Sequence, residues 1–465
     1  MRTRYLLHFI GLLTISAFLV SCSQKDSASV NDTTDQPDEI LFKNATVITG
    51  ISENALTNTD VLVRKGVICE IGENLSAPNA KVIDLSGKTL MPALISAHVH
   101  VGNLKGTESH GSNFTQENVL RHLKRYQDYG ILHVLSLGTD RKILFEDGFY
   151  QRIQQDNEPG ARMFSAGWGF GVKDGAPPFE EHDGNDNVFR PQNTEIVSHH
   201  LDSLNRYDIG WVKIWLDDFG DDDIDKMDPP IYQTIIQEAH KRNMQTAAHL
   251  YYLEDAKRMA NANVNNFAHS IRDREVDSEI IDLMISKNIS YIPTVTLDEF
   301  EFAYADGAPS WFEDAFFKNS LEDGAYQKMQ SAEFREDQRD ENLQRKRNAL
   351  QNALTNVKKL YDAGVLVGFG TDSGAQIQRS MGFSEHRELE LLVQAGLLPW
   401  QALQTATINS ARIMGIDKEY GSIETGKKAD LLILSANPLE NISNTQKIES
   451  VYKAGVMVSQ GPIQK

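Results

Sequence analysis

The sequence predicts an α/β fold: a (β/α)8 barrel with a small β-rich satellite built from the two ends of the chain. Three observations predict it. Apolar β-rich runs alternate with helical runs through the middle of the chain. β-rich runs without helices between them occupy both ends. Histidines and a carboxylate fall at the ends of predicted strands, the face on which barrels carry their chemistry.

Residues 1–21 read as a lipoprotein signal peptide. Arg2 and Arg4 make a basic start, and the apolar run over 6–20 is short for a membrane span. It ends in Leu19-Val20-Ser21-Cys22, which resembles a bacterial lipobox, so Cys22 is the expected lipidation site. Residues 22–39 are rich in Ser, Asp, Asn and Thr with almost no large apolar side chain, and read as a disordered tether. The expectation is an exported lipoprotein, palmitate-type anchored to a bacterial membrane. The outer membrane is preferred, on its periplasmic or surface side.

Residues 40–90 hold short β-rich runs at 40–42, 46–49, 60–63, 67–71 and 81–84, broken by turns. Residues 421–465 repeat the pattern at 430–434 and 448–458, so the two ends could pair into one satellite sheet. Between them, residues 91–420 form the predicted barrel. Its strands fall at 94–98, 131–136, 161–165, 211–216, 245–249, 265–269, 290–294 and 365–370. Helices are predicted over 115–129, 230–242, 253–261, 277–287 and 343–363. A doubly wound open sheet is the alternative, but no Gly-rich phosphate loop follows any of these strands. Two connections, 167–194 and 297–342, are long enough to be functional or disordered. The second carries Trp311, Phe312, Phe316 and Phe317.

Charge and cysteine content exclude some functions. With 46 Lys and Arg against 65 Asp and Glu, the formal net charge is −19, which disfavours nucleic acid as a partner. Two cysteines, Cys22 and Cys69, make neither a disulfide framework nor a cysteine zinc site.

The chemistry-bearing residues are histidines. In His98-Val99-His100 the two imidazoles, two apart at a strand end, face one point. His249 and His269 close the fifth and sixth predicted strands, and Asp372 follows the eighth. Neutral imidazole is the common nitrogen ligand of zinc-like ions, so the set predicts a metal site. Lys213, among the apolar residues of Trp211-Val212-Lys213-Ile214-Trp215, must be paired or chemically changed. It either pairs with Asp217 or Asp218 or is carboxylated to a carbamate able to bridge two metals. Tyr251 and Tyr252, just past His249, are candidates to stabilise an oxyanion or hold substrate. The seven acids of the 217–228 run lack the spacing of a calcium loop and read as a solvated loop. His386 is given no role.

From about residue 40 to the end, the chain resembles the amidohydrolase superfamily, in its prolidase-like and imidazolonepropionase-like branch. The resemblance rests on five stretches. They are Leu90-Met91-Pro92-Ala93-Leu94-Ile95-Ser96-Ala97-His98-Val99-His100, Glu238-Ala239-His240 running on through Thr246-Ala247-Ala248-His249, Phe369-Gly370-Thr371-Asp372-Ser373, the helix over 402–415, and Gly421-Ser422-Ile423-Glu424-Thr425-Gly426-Lys427-Lys428-Ala429-Asp430-Leu431. Ala93 and Ser96 depart from the family's usual Gly and acidic residue. The resemblance implies a TIM-like barrel with a composite β-sandwich, and one or two divalent metals, usually zinc. It implies His98, His100 and Asp372 on one metal, His249 and His269 on the other, and Lys213 bridging.

The function expected from this reading is metal-dependent hydrolysis of a C–N bond in a small amide or dipeptide. Asp372 is the general base and acid, and Tyr251 assists. Two rivals keep the same residues. One is a metal-dependent lyase or dehydratase acting on uronic-acid sugars. The other is a binding lipoprotein with a dead site.

Overall fold

The computed structural model describes residues 38–175, 177, 188–218, 224–339 and 341–462. The expected signal peptide, nearly all of the tether and Cys22 lie outside the described residues, as do parts of the 167–194 connection and of the acidic run. Among the described residues no helix is long and apolar enough to cross a membrane.

The two ends of the chain join in one eight-stranded mixed sheet. The N-terminal strand Glu39–Val47 pairs antiparallel with Leu56–Arg64 on one edge. Its other edge is shared between Lys81–Asp84 and Thr89–Pro92, both parallel. Thr89–Pro92 then pairs with Leu431–Leu434, which bonds to Ile448–Lys453 and on to Val456–Ser459. Phe42, Val61 and Val63 from the first half share one apolar cluster with Leu431, Ile433 and Tyr452 from the last. Phe42 and Tyr452 meet edge to face at 5.1 Å. The expected composite sandwich is therefore visible in part, as one sheet with a core shared by both chain ends.

The central strands are parallel and form two arcs rather than one closed ladder. One arc runs Arg162–Ser165, Ile131–Ser136, Leu94–Val99, and the other runs Trp211–Trp215, Gln245–His249, Asn266–Ala268, Ser290–Ile292. Isolated parallel bridges link them: Phe170 with Ile214 on one side, and Tyr291 with Val367 and Val99 with Ser373 on the other. The predicted eighth strand over 365–370 is thus a correction, since this segment bridges its neighbours without forming a strand of its own. Glycine is the reason. A Cβ on Gly368 would come within 2.4 Å of Ile413 Cδ1, and one on Gly370 within 2.6 Å of His98 Cβ. The glycines let the backbone approach both arcs while weakening regular strand pairing. Gly368 N–H still donates to Tyr291 O at 2.8 Å, and Ala97 N–H to Phe369 O at 2.7 Å.

Inside this ring, Ile95, Ala97, Leu135, Ala247, Ala268 and Ile292 pack against Ala411, Ile413 and Met414. Helices fall where the apolar spacing places them, and two of them begin one residue later because the first predicted residue is the cap. Gln116–Asp128 begins after Thr115, whose Oγ1 accepts from Asn118 N–H at 3.1 Å. Ser278–Ser286 begins after Asp277, which accepts from Ile280 N–H in the same way. The 297–342 connection is itself folded into short helices including Ala315–Lys318, Ala325–Gln330 and Ala332–Asp337. Phe312, Phe316 and Phe317 are buried in it. It is tied down by the buried Glu322, which pairs with Arg121 at 2.8 Å and with Arg125.

Buried neutral histidines hold the packing at two points. His122 Nδ1 accepts from Gly102 N–H at 3.0 Å while its Nε2 faces Leu104 O at 2.9 Å. His386 lies between Thr445 Oγ1 and Tyr129 O, both at 2.9 Å. Burial lowers the first from 6.5 to about 3 and the second from 6.5 to about 4. Folded pKa values below the unfolded ones mean that acid favours the unfolded chain. Stability is complete above pH 6.5 and is lost as pH falls toward 4 and 3. Between pH 6.5 and 4.5 each histidine is expected to remove about 2 kcal/mol. Guanidinium midpoints of the metal-free protein at those two pH values check this, and equal midpoints would refute it.

Candidate metal centre

Four imidazoles, one lysine and one carboxylate converge at the C-terminal ends of the parallel strands. His98 and His100 leave the first strand, and both bring Nε2 to Asp372 Oδ1, at 3.1 and 2.8 Å. Single ligand atoms of these three residues lie within 4.8 Å of one another. Asp372 is held in place by local geometry. Its backbone is left-handed, with φ +59°, and its N–H donates to His98 O at 3.0 Å. His249 ends the strand Gln245–His249, and His269 follows Asn266–Ala268 with a left-handed φ of +82°. The His269 ring centre lies 4.4 Å from those of both His98 and His249, so the two halves of the cluster are contiguous. Left-handed backbone at non-glycine residues is costly and persists where the surroundings enforce it.

In two of the four histidines the second ring nitrogen is already engaged. His100 Nδ1 meets Thr139 Oγ1 at 2.7 Å, and His269 Nδ1 meets Thr294 Oγ1 at 2.8 Å. Both hydroxyls orient the ring so that Nε2 faces the cluster, the usual support for a ligating histidine. Burial, and then the neighbouring Lys213, brings His98 down to about 3, and burial also depresses His249 and His269. Their imidazoles are therefore neutral at ordinary pH, as metal ligation requires. Burial would raise Asp372, but its contacts with His100 and His98 outweigh that and hold it well below the usual carboxylate range. Arg379 closes on its other oxygen, Oδ2, at 2.5 Å. A donor set of neutral imidazoles around an ionised carboxylate fits a divalent cation.

Lys213 is buried on the fourth parallel strand, with Nζ 3.3 Å from His98 Nε2. Burial pushes its amine down to about 7. The pairing with Asp217 or Asp218 offered as its alternative is not formed: among the described residues no carboxylate makes an ion pair with Lys213, and Asp218 lies 3.5 Å from Lys226. Asp217 lies on the histidine side instead, 3.4 Å from His249 Nε2. The two tyrosines separate. Tyr251 lines the cavity beside the cluster under the guanidinium of Arg272, while Tyr252 stacks on Lys226 at 3.8 Å. That cavity is about 440 Å³ and includes His100, His269, Asp372, Arg272, Arg345 and Arg379 in its wall.

Sequence reading missed the residues that hold this geometry. Glu385 and Glu388, three apart on the buried face of Phe383–Gln394, each brace one half of the centre. Glu385 Oε1 accepts from Thr371 Oγ1 at 2.7 Å and Ser373 Oγ at 2.8 Å, on either side of Asp372. Ser96 Oγ also reaches it, at 3.3 Å. Glu388 accepts from Val295 and Thr296 N–H at 2.8 and 2.7 Å, fixing the turn after Thr294 and so the partner of His269. No local pattern singled them out, because Glu385 and Glu388 sit among Ser384, His386, Arg387 and Glu390 in what reads as an ordinary charged helix. Arg379 and Arg272 carried no signal either.

Comparison with known proteins places the chain. The amidohydrolase family matches residues 89–458. A Xaa-Pro dipeptidase crystallised with methionine in its active site superposes with a TM-score of 0.71 at 21% identity, covering 90% of this chain and 99% of that one. Phenylurea hydrolase B superposes with a TM-score of 0.67 at 17% identity, covering 90% and 96%. These likenesses support a TIM-like arrangement of the central α/β region. A dihydroorotase of Bacillus cytotoxicus is 44% identical over 61 residues, 13% of this chain and 14% of that protein. The chain thus matches about a seventh of the length of that curated relative.

Proposed function

The chain belongs to the amidohydrolase family, and from that premise we propose that it hydrolyses a C–N bond of a small amide, a dipeptide or an N-acyl amino acid. The observation that carries this reading is the convergence of His100, His249, His269 and Asp372 on the wall of a cavity of about 440 Å³, with His98 packed behind them against Asp372 and His269. That space accommodates a dipeptide-sized molecule. Arg345 on its wall favours a substrate carrying a carboxylate, whereas Arg272 and Arg379 are already paired, with Asp298 and with Asp372 and Glu301.

His98, His100 and Asp372 would hold one divalent cation, taken here as zinc for its affinity for imidazole. His249 and His269 would hold a second, with Lys213 as a carbamate between them. The cation supplies Lewis acidity, polarising the scissile carbonyl and making water more acidic. The chain's residues do the rest. Asp372, kept ionised with Arg379 on Oδ2, takes the proton of the attacking water and returns it to the leaving nitrogen. Burial raises the pKa of Tyr251, so its phenol stays a donor, placed to stabilise the carbonyl oxygen as charge develops. Lys213, buried with no carboxylate partner among the described residues, is placed to add carbon dioxide through its neutral amine, releasing one proton.

The test is mass spectrometry of products after zinc-loaded protein is incubated with dipeptides, N-acyl amino acids and uronate oligosaccharides. Cleavage with gain of one water in the first two panels is expected. Absence of amide cleavage, or loss of one water from a uronate instead, would overturn the reading.

A further inference from the structure

Asp217 is out of place as a structural residue. It follows the fourth parallel strand directly and is almost fully buried, at 1% exposure. Among the described residues, neither of its carboxylate oxygens has a hydrogen-bond partner. Leaving a buried carboxylate without a partner is costly, so a position of this kind calls for an explanation. No Lys or Arg among the described residues makes an ion pair with it. Lys213, four residues earlier, turns toward His98, and Lys226 pairs with Asp218 and Asp255. The contact Asp217 does make is with a member of the metal cluster, 3.4 Å from Oδ1 to His249 Nε2.

That separation has a physical meaning. Two donor atoms each about 2.1 Å from one ion, at a tetrahedral angle, lie about 3.4 Å apart. A hydrogen bond between the same groups would be shorter, about 2.7–3.0 Å. We infer that Asp217 is a ligand of the second divalent cation, completing with His249 and His269 a site that has its own carboxylate. This rests on the metal-dependent reading above and goes beyond it, because that reading gave the second cation no acidic ligand except a modified Lys213. With Asp217 in place, the second site carries a fixed negative charge whether or not carbon dioxide has added to Lys213.

The test is metal stoichiometry and affinity on the full-length protein, using cobalt(II) and zinc(II) added to chelator-stripped samples. Wild type is expected to take up two equivalents. Asp217→Asn, which keeps size and can mimic a neutral acid, should keep the first equivalent and weaken the second at least 100-fold, with a changed cobalt absorption spectrum. Asp218→Asn should keep both. Retention of two equivalents with unchanged affinity in Asp217→Asn would overturn the inference. If that variant does not fold, a crystal structure of zinc-loaded wild type decides: an ion within about 2.2 Å of an Asp217 oxygen supports the assignment, and a carboxylate standing clear of the ion overturns it. Wild type binding a single equivalent would sink the Asp217 assignment alone, whereas wild type binding none would sink the metal-dependent function with it.

Discussion

Asp372→Asn is expected to lower kcat for the cleaved amide by about a thousandfold or more, with the melting temperature little changed. The size follows from removing the group that moves the proton, for which general acid–base losses run to about 10²–10⁴. The small structural effect follows from the backbone. Asp372 has φ +59°, a conformation asparagine adopts readily, and the N–H bond to His98 O does not involve the side chain. The flanking Thr371 and Ser373 remain anchored on Glu385. Arg379 loses one partner but keeps Glu301 at 3.0 Å. Steady-state kinetics with a thermal melt check this. A variant retaining a tenth or more of wild-type kcat would remove Asp372 from the proton-transfer role.

The second large effect is on stability. Asp430→Ala is expected to cost about 3–5 kcal/mol, because it removes the interior partner of a buried guanidinium and leaves it only the half-exposed Asp156. Arg162, 1% exposed, is closed by Asp430 within the interior and by Asp156 at 2.6 Å. The other oxygen of Asp430 accepts from Ala454 N–H at 2.7 Å, in the turn between the last two strands. One side chain thus ties the parallel strand Arg162–Ser165 to the C-terminal half of the satellite sheet. Lys453 extends the tie, reaching Asp156 at 2.9 Å and Gly160 O at 2.8 Å. The exposed pair Arg347–Asp306, at 2.5 Å, is the contrast. Water already screens it, so Asp306→Ala should change stability by less than about 1 kcal/mol. Guanidinium unfolding of the two variants separates the cases, and equal small losses would show that Asp156 alone satisfies Arg162.

Much of the centre was legible in the sequence. The i, i+2 histidine pair, the strand-ending His249 and His269 and the Gly-Thr-Asp-Ser turn are all local patterns. The structure brings these residues together with Lys213 around one point. Strand and helix positions were also close, because alternation and helical spacing are properties of short windows. The expected continuous eighth strand failed for a local reason with a distant cause. Its apolar residues read as β, but its glycines are there to let the backbone reach His98 and Ile413, partners far away in the sequence.

What the sequence determined by itself was the alternation of strands and helices, the β-rich character of both chain ends, and the set of histidines and one carboxylate that the fold brings together. Tertiary structure alone decided which oxygens and nitrogens meet. It put Arg379 on Asp372, Thr139 behind His100, Glu388 behind the turn that holds Thr294, and Asp217 beside His249 rather than Lys213. The physical reason is range. Periodicity and turn chemistry act over a few residues and leave their mark in sequence. A buried polar contact is set by whatever the fold brings within about 3 Å, and for Glu388 and Val295 that partner lies 93 positions away.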